Sequence, residues 1–401
     1  MARSVLIVGA GPAGAALAWL LASRGLQVTL VERSTRLDRQ FRGEALMPSG
    51  RAALTAMGQG QLLNQLPGRA LDGWRFLLDR RELFSLAEPQ PGCWLVSQPA
   101  LLGALIEQAQ QQPGFRWLPG RSASPLRRQD GRLLGVQLGD GQQLTADLVV
   151  AADGRQSSWR QAAALELEER PGGLALLWFR LPSHPSFEER NLFTTVLADG
   201  QLFSLVLGAA AGGLHLAWVL RPGQQPGEQV ALSSRSWAER FAALSPAWLA
   251  DHFLANADAI STPLALVSPV GLAQRWQSPG LLLLGDAAHP MSPLRAQGIN
   301  MALRDAIVAA NHLVPLLNAG GSEAAIDAAL AAIEAERVGE IRTIQNLQAA
   351  EAARGQWLRS QGALTVALGR AAPLLGPLIA RRWWADQQTM RLGCGAVPLL
   401  V

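Results

Sequence analysis

The fold of this 401-residue chain is decided by the stretch VLIVGAGPAG at Val5–Gly14. An apolar run ends there in glycines spaced Gly-x-Gly-x-x-Gly, and the following residues, Ala13–Ser23, have the apolar spacing of a helix. Gln27–Val31 is a second apolar run. The order strand, glycine turn, helix, strand predicts a parallel βαβ unit.

The three glycines suit a bound dinucleotide. Gly9 permits a tight turn, Gly11 lets the backbone approach a pyrophosphate, and Gly14 allows the helix to pack closely on the strand. The N-terminus of the helix directs N–H groups and positive potential at the phosphates. Glu32, at the end of the second strand, is placed to accept hydrogen bonds from an adenosine ribose. The motif does not distinguish NAD from FAD.

A second stretch, LLLLGDAAHPMSPLRAQGINMALRD at Leu281–Asp305, makes that distinction. It reads as a buried strand, a Gly-Asp turn, a loop with prolines and the start of a helix. A carboxylate at the strand end and the N–H groups that open the helix suit a ligand with ribityl hydroxyls at one end and an anionic ring at the other. Together with Val5–Gly14, this stretch indicates a flavin dinucleotide and hence redox chemistry.

The chain is predicted to interleave two domains. Four strand-like runs separated by turn residues indicate an antiparallel sheet: Leu174–Leu181, Leu192–Leu197, Leu202–Leu207 and Leu214–Leu220. The predicted fold class is α/β, with a Rossmann-like FAD-binding domain on a parallel sheet, an antiparallel-sheet substrate domain and a helical C-terminal segment. We expect the FAD-binding domain at residues 1–70, 95–165 and 265–320, the substrate domain at 71–94 and 166–264, and the helical segment at 321–401. The helix after the Gly-Asp turn is expected to span Gly298–Leu317 and to stop near Pro315.

Composition excludes several classes of protein. Hydrophobic residues make up 49% of the chain and charged residues 16%, which is typical of a globular protein. The net charge is +4 and no basic run is interleaved with aromatic residues, which argues against nucleic-acid binding. Cys93 and Cys394 lack metal-ligand or redox-dithiol spacing, so we expect no metal site and a reducing, cytoplasmic location. We expect no secretory signal, because the first strand starts near Val5.

Three motifs now stand in order: Gly9–Gly14, Asp153-Gly154 after a buried run, and Gly285-Asp286 before a helix. In this respect the chain resembles the FAD-dependent monooxygenases of the para-hydroxybenzoate hydroxylase type. The resemblance implies a noncovalently bound FAD, NADH or NADPH as a transient reductant, and O2 as the source of the transferred oxygen. It also implies a cofactor site formed by Gly9, Gly11, Ala13, Gly14, Glu32, Arg33, Arg42, Gln98, Ala123, Asp153, Gly154, Asp286, Pro293, Gly298, Ile299 and Asn300.

The resemblance gives some of these residues a role. Asp286 would bind the ribityl chain, and Pro293, Gly298, Ile299 and Asn300 would lie along the flavin ring. Further roles follow for five positions: Arg42 at the pyrophosphate and ribityl region, Gln98 at a ribose, Ala123 with its backbone at adenine, and Asp153 with Gly154 near both FAD and the NAD(P)H path. For Asp153 a structural role as a turn and helix cap is equally compatible with the sequence. His289 is read as a structural histidine.

One position departs from the family pattern. The family loop reads Pro, any residue, Gly, two variable residues, Gly, and here Arg295 replaces the first Gly. That Gly normally leaves the flavin edge open to oxygen. The Arg295 side chain could shield this edge, point away from it or stabilise a developing anion, and Arg295 is therefore a candidate modulator of the reaction.

The leading hypothesis is a monooxygenase acting on an aromatic or other apolar small molecule. The alternatives are an FAD-dependent reductase of an isoprenoid-type substrate and a catalytically degenerate FAD-binding protein. The substrate is expected against the sheet, on aromatic side chains from the set Trp178, Phe179, Phe193, Phe203 and Trp218, each of which could equally be core. The tail Gly355–Val401 is apolar and basic, which makes it a candidate for peripheral membrane contact. The oligomeric state is not readable from the sequence.

Overall fold

The N-terminal strand lies inside a parallel sheet, as predicted. In this computed structural model, the structure describes residues 3–37, 44–209 and 213–401. The order of the six strands is Gln277–Ser278, Leu281–Leu283, Leu148–Ala151, Ser4–Val8, Gln27–Glu32 and Phe115–Pro119. All neighbours are parallel except the edge strand Gln277–Ser278. The middle strands are buried on both faces, which explains why they read as continuous apolar runs.

Helices and two small sheets surround this parallel sheet. The helices are Pro12–Ala22, Pro48–Ala56, Leu62–Gln65, Gln98–Gln110, Ser158–Ala162 and Gln297–Asn318. The small sheets consist of Ala123–Arg127, Leu133–Leu138 and Gln143–Thr145, and of Ala45–Leu46, Gly68–Ala70 and Trp94–Val96. The helix predicted at Gly298–Leu317 spans Gln297–Asn318. Pro315 lies inside its last turn, where a proline removes a single hydrogen bond.

The second large sheet has seven strands and contains the predicted antiparallel runs. Its order is Leu264–Ala273, Leu167–Leu181, Leu214–Val219, Gln201–Leu207, Leu192–Ala198, Gly73–Leu78 and Arg81–Ala87. One neighbouring pair, Leu192–Ala198 with Gly73–Leu78, is parallel and the rest are antiparallel. One face is covered by the helices Pro185–Glu189, Pro226–Val230, Ser234–Ala243 and Ala247–Ala255. The α/β fold class with its two sheets is confirmed.

The two faces of this sheet divide the aromatic residues that the sequence grouped together. Phe179, Phe203 and Trp218 are buried in the core under the helices, in contact with Trp237 and Phe241. Side chains alternate between faces along a strand, so the opposite face carries a different set. We call it the inner face and define it by Trp74, Phe76, Trp178, Phe193, Thr195, Ser204, Val206 and His215. Phe179, Phe203 and Trp218 are therefore core residues, and the expectation that they contact the substrate is wrong.

The boundary between the two sheets lies later than predicted. Leu264–Ala273 was expected mainly in the FAD-binding domain, but it pairs with Leu167–Leu181 in the seven-stranded sheet. Its end reaches the segment after the Gly-Asp turn, because the N–H groups of Gly271 and Ala273 donate to the carbonyls of Pro290 and Ala288, at 3.0 and 2.7 Å. The long strand joins the two sheets, so the transition falls near residue 273.

The C-terminal segment consists of three helices, Glu323–Ser360, Gly362–Arg370 and Ala372–Leu392. The last residues run back along the FAD-binding domain, where Arg24 donates to the Val401 carbonyl at 2.8 and 3.1 Å. Within residues 3–37, 44–209 and 213–401, no single helix has the length and hydropathy to cross a membrane. The pair Gly362–Arg370 and Ala372–Leu392 meets both criteria only jointly, and it is bent by 105°.

Candidate active site

The glycines of the first turn are required for two different reasons. A Cβ at Gly14 would lie 1.9 Å from the Gly9 carbonyl oxygen, and a Cβ at Gly9, whose φ is 102°, would lie 2.4 Å from that of Ala152. Packing therefore requires Gly9 and Gly14. A Cβ at Gly11 would meet only the Ala152 oxygen at 4.0 Å, and one at Gly154 would meet nothing within 4 Å. Gly11 and Gly154 leave open backbone that a ligand can approach.

Glu32 holds the glycine turn in place. It is 3% exposed, and its two carboxylate oxygens accept the N–H groups of Ala10 and Ser34, each at 2.9 Å. A carboxylate oxygen can accept more than one hydrogen bond, as a ribose contact requires. The Arg121 N–H donates to the Glu32 carbonyl at 2.9 Å, so the chain leading to Ala123 lies beside this strand end.

The remaining sequence-predicted residues of this end of the site are placed as follows. Arg33 is exposed, and Gln98 is 8% exposed as the first residue of its helix. Arg42 lies outside the described residues.

The three motifs converge at Asp286. A Cβ at Gly285, whose φ is 62°, would lie 3.0 Å from Cβ of Ala13, so the Gly-Asp turn packs on the first helix. Asp286 Oδ2 accepts a hydrogen bond from Arg155 Nε at 2.9 Å, an ion pair between the second and third motifs. Arg160 donates to the Ala287 carbonyl at 2.7 Å. The structure therefore brings together residues that are about 130 positions apart.

Asp153 caps the short helix Ser158–Ala162. Its Oδ1 accepts the Ser157 hydroxyl at 2.5 Å, and its Oδ2 accepts the Ser158 N–H at 2.9 Å. Both carboxylate oxygens thus hold the turn, which is the structural role that the sequence left open beside the cofactor role.

The loop before the Gln297–Asn318 helix contains two consecutive left-handed residues. Arg295 has φ 57° and ψ 23°, and Ala296 has φ 50° and ψ 34°. This conformation costs a residue other than glycine about 1–2 kcal/mol. It turns the chain sharply into the helix, whose first-turn N–H groups have no partner inside the helix and carry its positive dipole end. A Cβ at Gly298 would find only Asp286 Oδ1, at 3.5 Å.

Asn300 fixes this helix start against the chain at Ala45–Met47. Its Oδ1 accepts the Met47 N–H at 2.9 Å, and its Nδ2 donates to the carbonyls of Ala45 and Ala296 at 3.2 and 2.8 Å. The side chain is fully buried, and these bonds use both N–H donors of the amide and one lone pair of Oδ1. Ile299 is 5% exposed beside it. The backbone of this turn, rather than the Asn300 amide, is what remains for a cofactor.

The Arg295 side chain is held between the inner face and the C-terminal helices. Its guanidinium group forms an ion pair with Glu351 and lies 4.6 and 4.7 Å from the ring centroids of Trp74 and Trp383. The side chain is 7% exposed. The sequence left three orientations of the Arg295 side chain open. In the structure, its guanidinium group is directed at Glu351, Trp74 and Trp383.

A row of side chains on the Glu323–Ser360 helix holds the same loop, and sequence reasoning missed it. Gln345 donates to the carbonyl of Gly271 at 2.7 Å, and Gln348 donates to those of Ser292 and Leu294 at 3.0 and 2.6 Å. Glu351 follows three residues later and forms the ion pair with Arg295. The spacing of three residues on one helix face was the available signal.

Behind the loop lies a buried charge network. His289 Nε2 is 2.7 Å from Asp305 Oδ2, and Arg337 Nε donates to Asp305 Oδ1 at 2.7 Å. Glu340 binds both Arg304 and Arg337. Burial raises the pKa of Asp305, but His289 and Arg337 outweigh it and hold that pKa below its usual value. His289 is thus a structural residue, as predicted.

These residues fit FAD. Open backbone at Gly11 and Gly154, a carboxylate at the strand end, and a helix N-terminus beside Asp286 are the groups that this cofactor requires. Gly9–Gly14 with Glu32 would hold the adenosine and pyrophosphate, Asp286 the ribityl hydroxyls, and the start of the Gln297–Asn318 helix the flavin ring.

Comparison with known proteins agrees with this reading. The family model described as an FAD binding domain matches residues 2–339. The chain is 36% identical to the 6-methylpretetramide 4-monooxygenase of Streptomyces rimosus, over 76% of this chain and 73% of that one. The chain belongs to the FAD-dependent monooxygenases of the para-hydroxybenzoate hydroxylase type. The enzyme is accordingly an FAD-dependent oxidoreductase with NAD(P)H as reductant.

Two further relatives extend the comparison. The ubiquinone hydroxylase UbiL of Rhodospirillum rubrum is 30% identical to this chain, over 77% of this chain and 72% of UbiL. The crystal structure of P. aeruginosa PqsL with 2-aminobenzoylacetate has a TM-score of 0.76 at 24% identity, covering 91% of this chain and 99% of that one. The latter likeness establishes the fold alone. Gln345, Gln348 and Glu351 lie beyond the end of the family match.

Proposed function

We propose that the enzyme hydroxylates an electron-rich aromatic molecule with a large apolar surface, bound between the inner face and the loop Pro293–Ala296. The observation that supports this proposal is the arrangement of Trp74, Phe193 and Met47 in one cluster beside the loop. Aromatic and thioether side chains of this kind bind planar, apolar ligands. The names of the relatives that act on pretetramide and ubiquinone compounds agree with such a substrate.

The residues of the site divide the work of the reaction. Bound FAD supplies the redox chemistry, the acceptance of reducing equivalents from NAD(P)H and the transfer of one oxygen atom from O2. The first-turn N–H groups of the Gln297–Asn318 helix would stabilise negative charge on a flavin ring held there. Asn300 and Gln348 hold that turn and the loop rigid, and the aromatic residues exclude water from the substrate side.

The direct test is a ligand screen under ¹⁸O2. Apolar aromatic compounds are scored for acceleration of NAD(P)H oxidation, and products are analysed by mass spectrometry. We expect an accelerating ligand to gain one ¹⁸O atom. Saturation of an isoprenoid alkene in the absence of O2 would instead support the reductase. Failure of NAD(P)H to reduce the flavin with every ligand tested would support the catalytically degenerate protein.

We also propose peripheral contact of the C-terminal segment with an anionic membrane. Leu374 and Leu378 are 80% and 67% exposed on the Ala372–Leu392 helix, and Trp357 is 55% exposed on the Glu323–Ser360 helix. Residues 352–385 contain five Arg and no Asp or Glu, so this stretch alone accounts for the net positive charge of the chain. Exposed apolar side chains flanked by Arg suit the headgroup region of anionic lipids.

Vesicle sedimentation tests this contact. The holoenzyme is expected to sediment with phosphatidylglycerol vesicles, more weakly with phosphatidylcholine vesicles, and less as salt increases. The double variant Leu374→Gln/Leu378→Gln should lose binding, whereas Leu254→Gln, at an exposed leucine outside this segment, should not. Equal sedimentation of both variants, or none of the unmodified enzyme, would contradict the proposal.

A further inference from the structure

His215 is the histidine of the inner face. It lies on the Leu214–Val219 strand, whose alternate residues Leu214, Leu216 and Trp218 are buried in the core on the opposite side. The ring lies flat over Gly208, where an added Cβ would be 2.9 Å from both Cε1 and Nε2 and 3.3 Å from Cδ2. Only glycine leaves room for the ring there. The Trp178 ring meets it edge-on, with 6.4 Å between centroids.

A carboxylate from the FAD-binding domain accompanies this histidine. Glu44 Oε2 lies 3.8 Å from His215 Nδ1 and accepts the Ala209 N–H at 2.8 Å. Both side chains are mostly buried, at 19% and 20% exposure. Glu44 is therefore fixed across the boundary between the two sheets, beside the ring.

The position of this pair relates it to the reaction. Glu44 directly precedes Ala45, whose carbonyl accepts the Asn300 amide at the start of the Gln297–Asn318 helix. On the sheet, His215 pairs with Val206 and with Arg180, and Val206 packs against the cluster that contains Met47 and Trp74. A substrate between the inner face and the loop would thus lie within reach of His215.

The charges around His215 favour a neutral ring that can take up a proton. Burial lowers the pKa of His215, Glu44 raises it, Arg180 lowers it, and the net shift is downward. At neutral pH the ring is therefore uncharged, and one of its nitrogens is a proton acceptor. The imidazolium formed on proton uptake is stabilised by the Glu44 carboxylate. A neutral imidazole oriented by a carboxylate is a common general base.

We propose that His215, with Glu44 beside it, is the general base that deprotonates a hydroxyl group on the aromatic substrate, so that the enzyme acts on phenols or enols. This inference rests on the proposed hydroxylation of an aromatic molecule. The O–H bond of the substrate breaks and its proton passes to the ring nitrogen. The electron pair stays on the oxygen and enriches the ring carbons ortho and para to it, where the new C–O bond forms. The chain has no Tyr that could do this.

The pair itself is tested without a substrate. In ¹⁵N-histidine-labelled holoenzyme, the ring signals of His215 are assigned with His215→Gln and titrated with pH. We expect its pKa to fall further in Glu44→Gln, which keeps an acceptor for the Ala209 N–H but removes the charge that favours the imidazolium. An unchanged pKa in Glu44→Gln would overturn the inference.

Kinetics test the catalytic role with a matched pair of ligands, 1-naphthol and 1-methoxynaphthalene, and with the best phenol of the ¹⁸O2 screen. His215→Gln should lower kcat at pH 7 by about 10²–10⁴-fold, with FAD binding and KM little changed. Activity should recover as the pH approaches the phenol's own pKa of about 10. His312→Gln, at an exposed histidine paired with Glu336, is the control.

The outcomes separate the two proposals. Hydroxylation by His215→Gln at the unmodified rate and pH profile, or hydroxylation of the methyl ether as fast as the phenol, overturns the role of His215 while the proposed function stands. Absence of ¹⁸O in any aromatic product, together with the expected pKa response to Glu44→Gln, overturns the proposed function. Only the electrostatic interaction between His215 and Glu44 would then stand.

Discussion

At the scale of single residues, Gly11 is the sharpest test of the cofactor site. Because a Cβ there meets only one atom at 4.0 Å, Gly11→Ala should fold with an unchanged unfolding midpoint. Since the methyl group occupies the space of the pyrophosphate, we expect FAD affinity to fall at least tenfold, about 1.4 kcal/mol. Fluorescence titration of the apoprotein measures it.

Two variants complete this comparison. Gly103→Ala adds a methyl group in another open helical position and should bind FAD normally. Gly14→Ala should fail to fold stably, because of the 1.9 Å approach to the Gly9 oxygen. Normal FAD affinity in Gly11→Ala would show that the dinucleotide does not approach this turn.

The buried network at Asp305 makes the stability of the fold depend on pH. The pKa values of Asp305 and Glu340 are lowered in the folded protein, since neighbouring Arg and His charges outweigh burial. Groups with depressed folded pKa values contribute stability above their unfolded pKa of about 4 and lose it as pH falls through the folded values. Urea unfolding should therefore show a loss of stability below about pH 4.

Arg337→Met should show how much the same network contributes to stability at neutral pH. Removing this cation leaves Asp305 and Glu340 with fewer partners, and we expect a loss of about 3–5 kcal/mol in the free energy of unfolding at pH 7. Arg354→Met removes an exposed ion pair with Asp386 and should leave the urea midpoint unchanged. Equal effects of the two variants would contradict the assigned role of the network.

At the scale of elements, the loop Pro293–Ala296 owes its conformation to the Glu323–Ser360 helix. Because the Arg295 guanidinium group is directed to Glu351, Trp74 and Trp383, Arg295→Gly should leave the rate of flavin reoxidation by O2 unchanged. Hydrogen exchange of the loop amides should accelerate in both Arg295→Gly and Glu351→Gln, since each removes the ion pair. Faster reoxidation of Arg295→Gly in a stopped-flow experiment would instead identify Arg295 as a shield.

Motifs and strand periodicity predicted those elements whose chemistry is local. The glycine turn, the Gly-Asp turn and the antiparallel strands were readable because their residue types follow from local backbone or burial requirements. The choice between the two faces of a strand was not readable for Trp178 and Phe179, because adjacent aromatics give no indication of which side the helices cover. The roles of Gln348 and Glu351 were not readable either, because their partners lie in a loop more than 50 residues away in the sequence.

At the scale of the whole molecule, the C-terminal helices hold the two sheets together. Arg391 on the Ala372–Leu392 helix forms a buried ion pair with Glu88, which directly follows the edge strand Arg81–Ala87 of the seven-stranded sheet. The Arg391 guanidinium lies over the Trp384 ring at 4.3 Å. Arg304 of the FAD-binding domain donates to the Gly395 carbonyl at 2.7 Å. The sequence predicted helices here but not these contacts, because ion pairs between distant segments leave no periodic pattern. The predicted boundary at residue 265 divides the strand Leu264–Ala273 from the seven-stranded sheet in which it pairs.

The central claim is that FAD binds noncovalently between the Gly9–Gly14 turn and the Asp286–Asn300 segment. The most direct measurement is the visible spectrum of the purified protein, followed by acid precipitation and analysis of the released nucleotide. We predict a flavin spectrum, with one FAD per chain recovered in the supernatant. Protein that remains colourless after incubation with excess FAD, with no nucleotide released, would contradict the account.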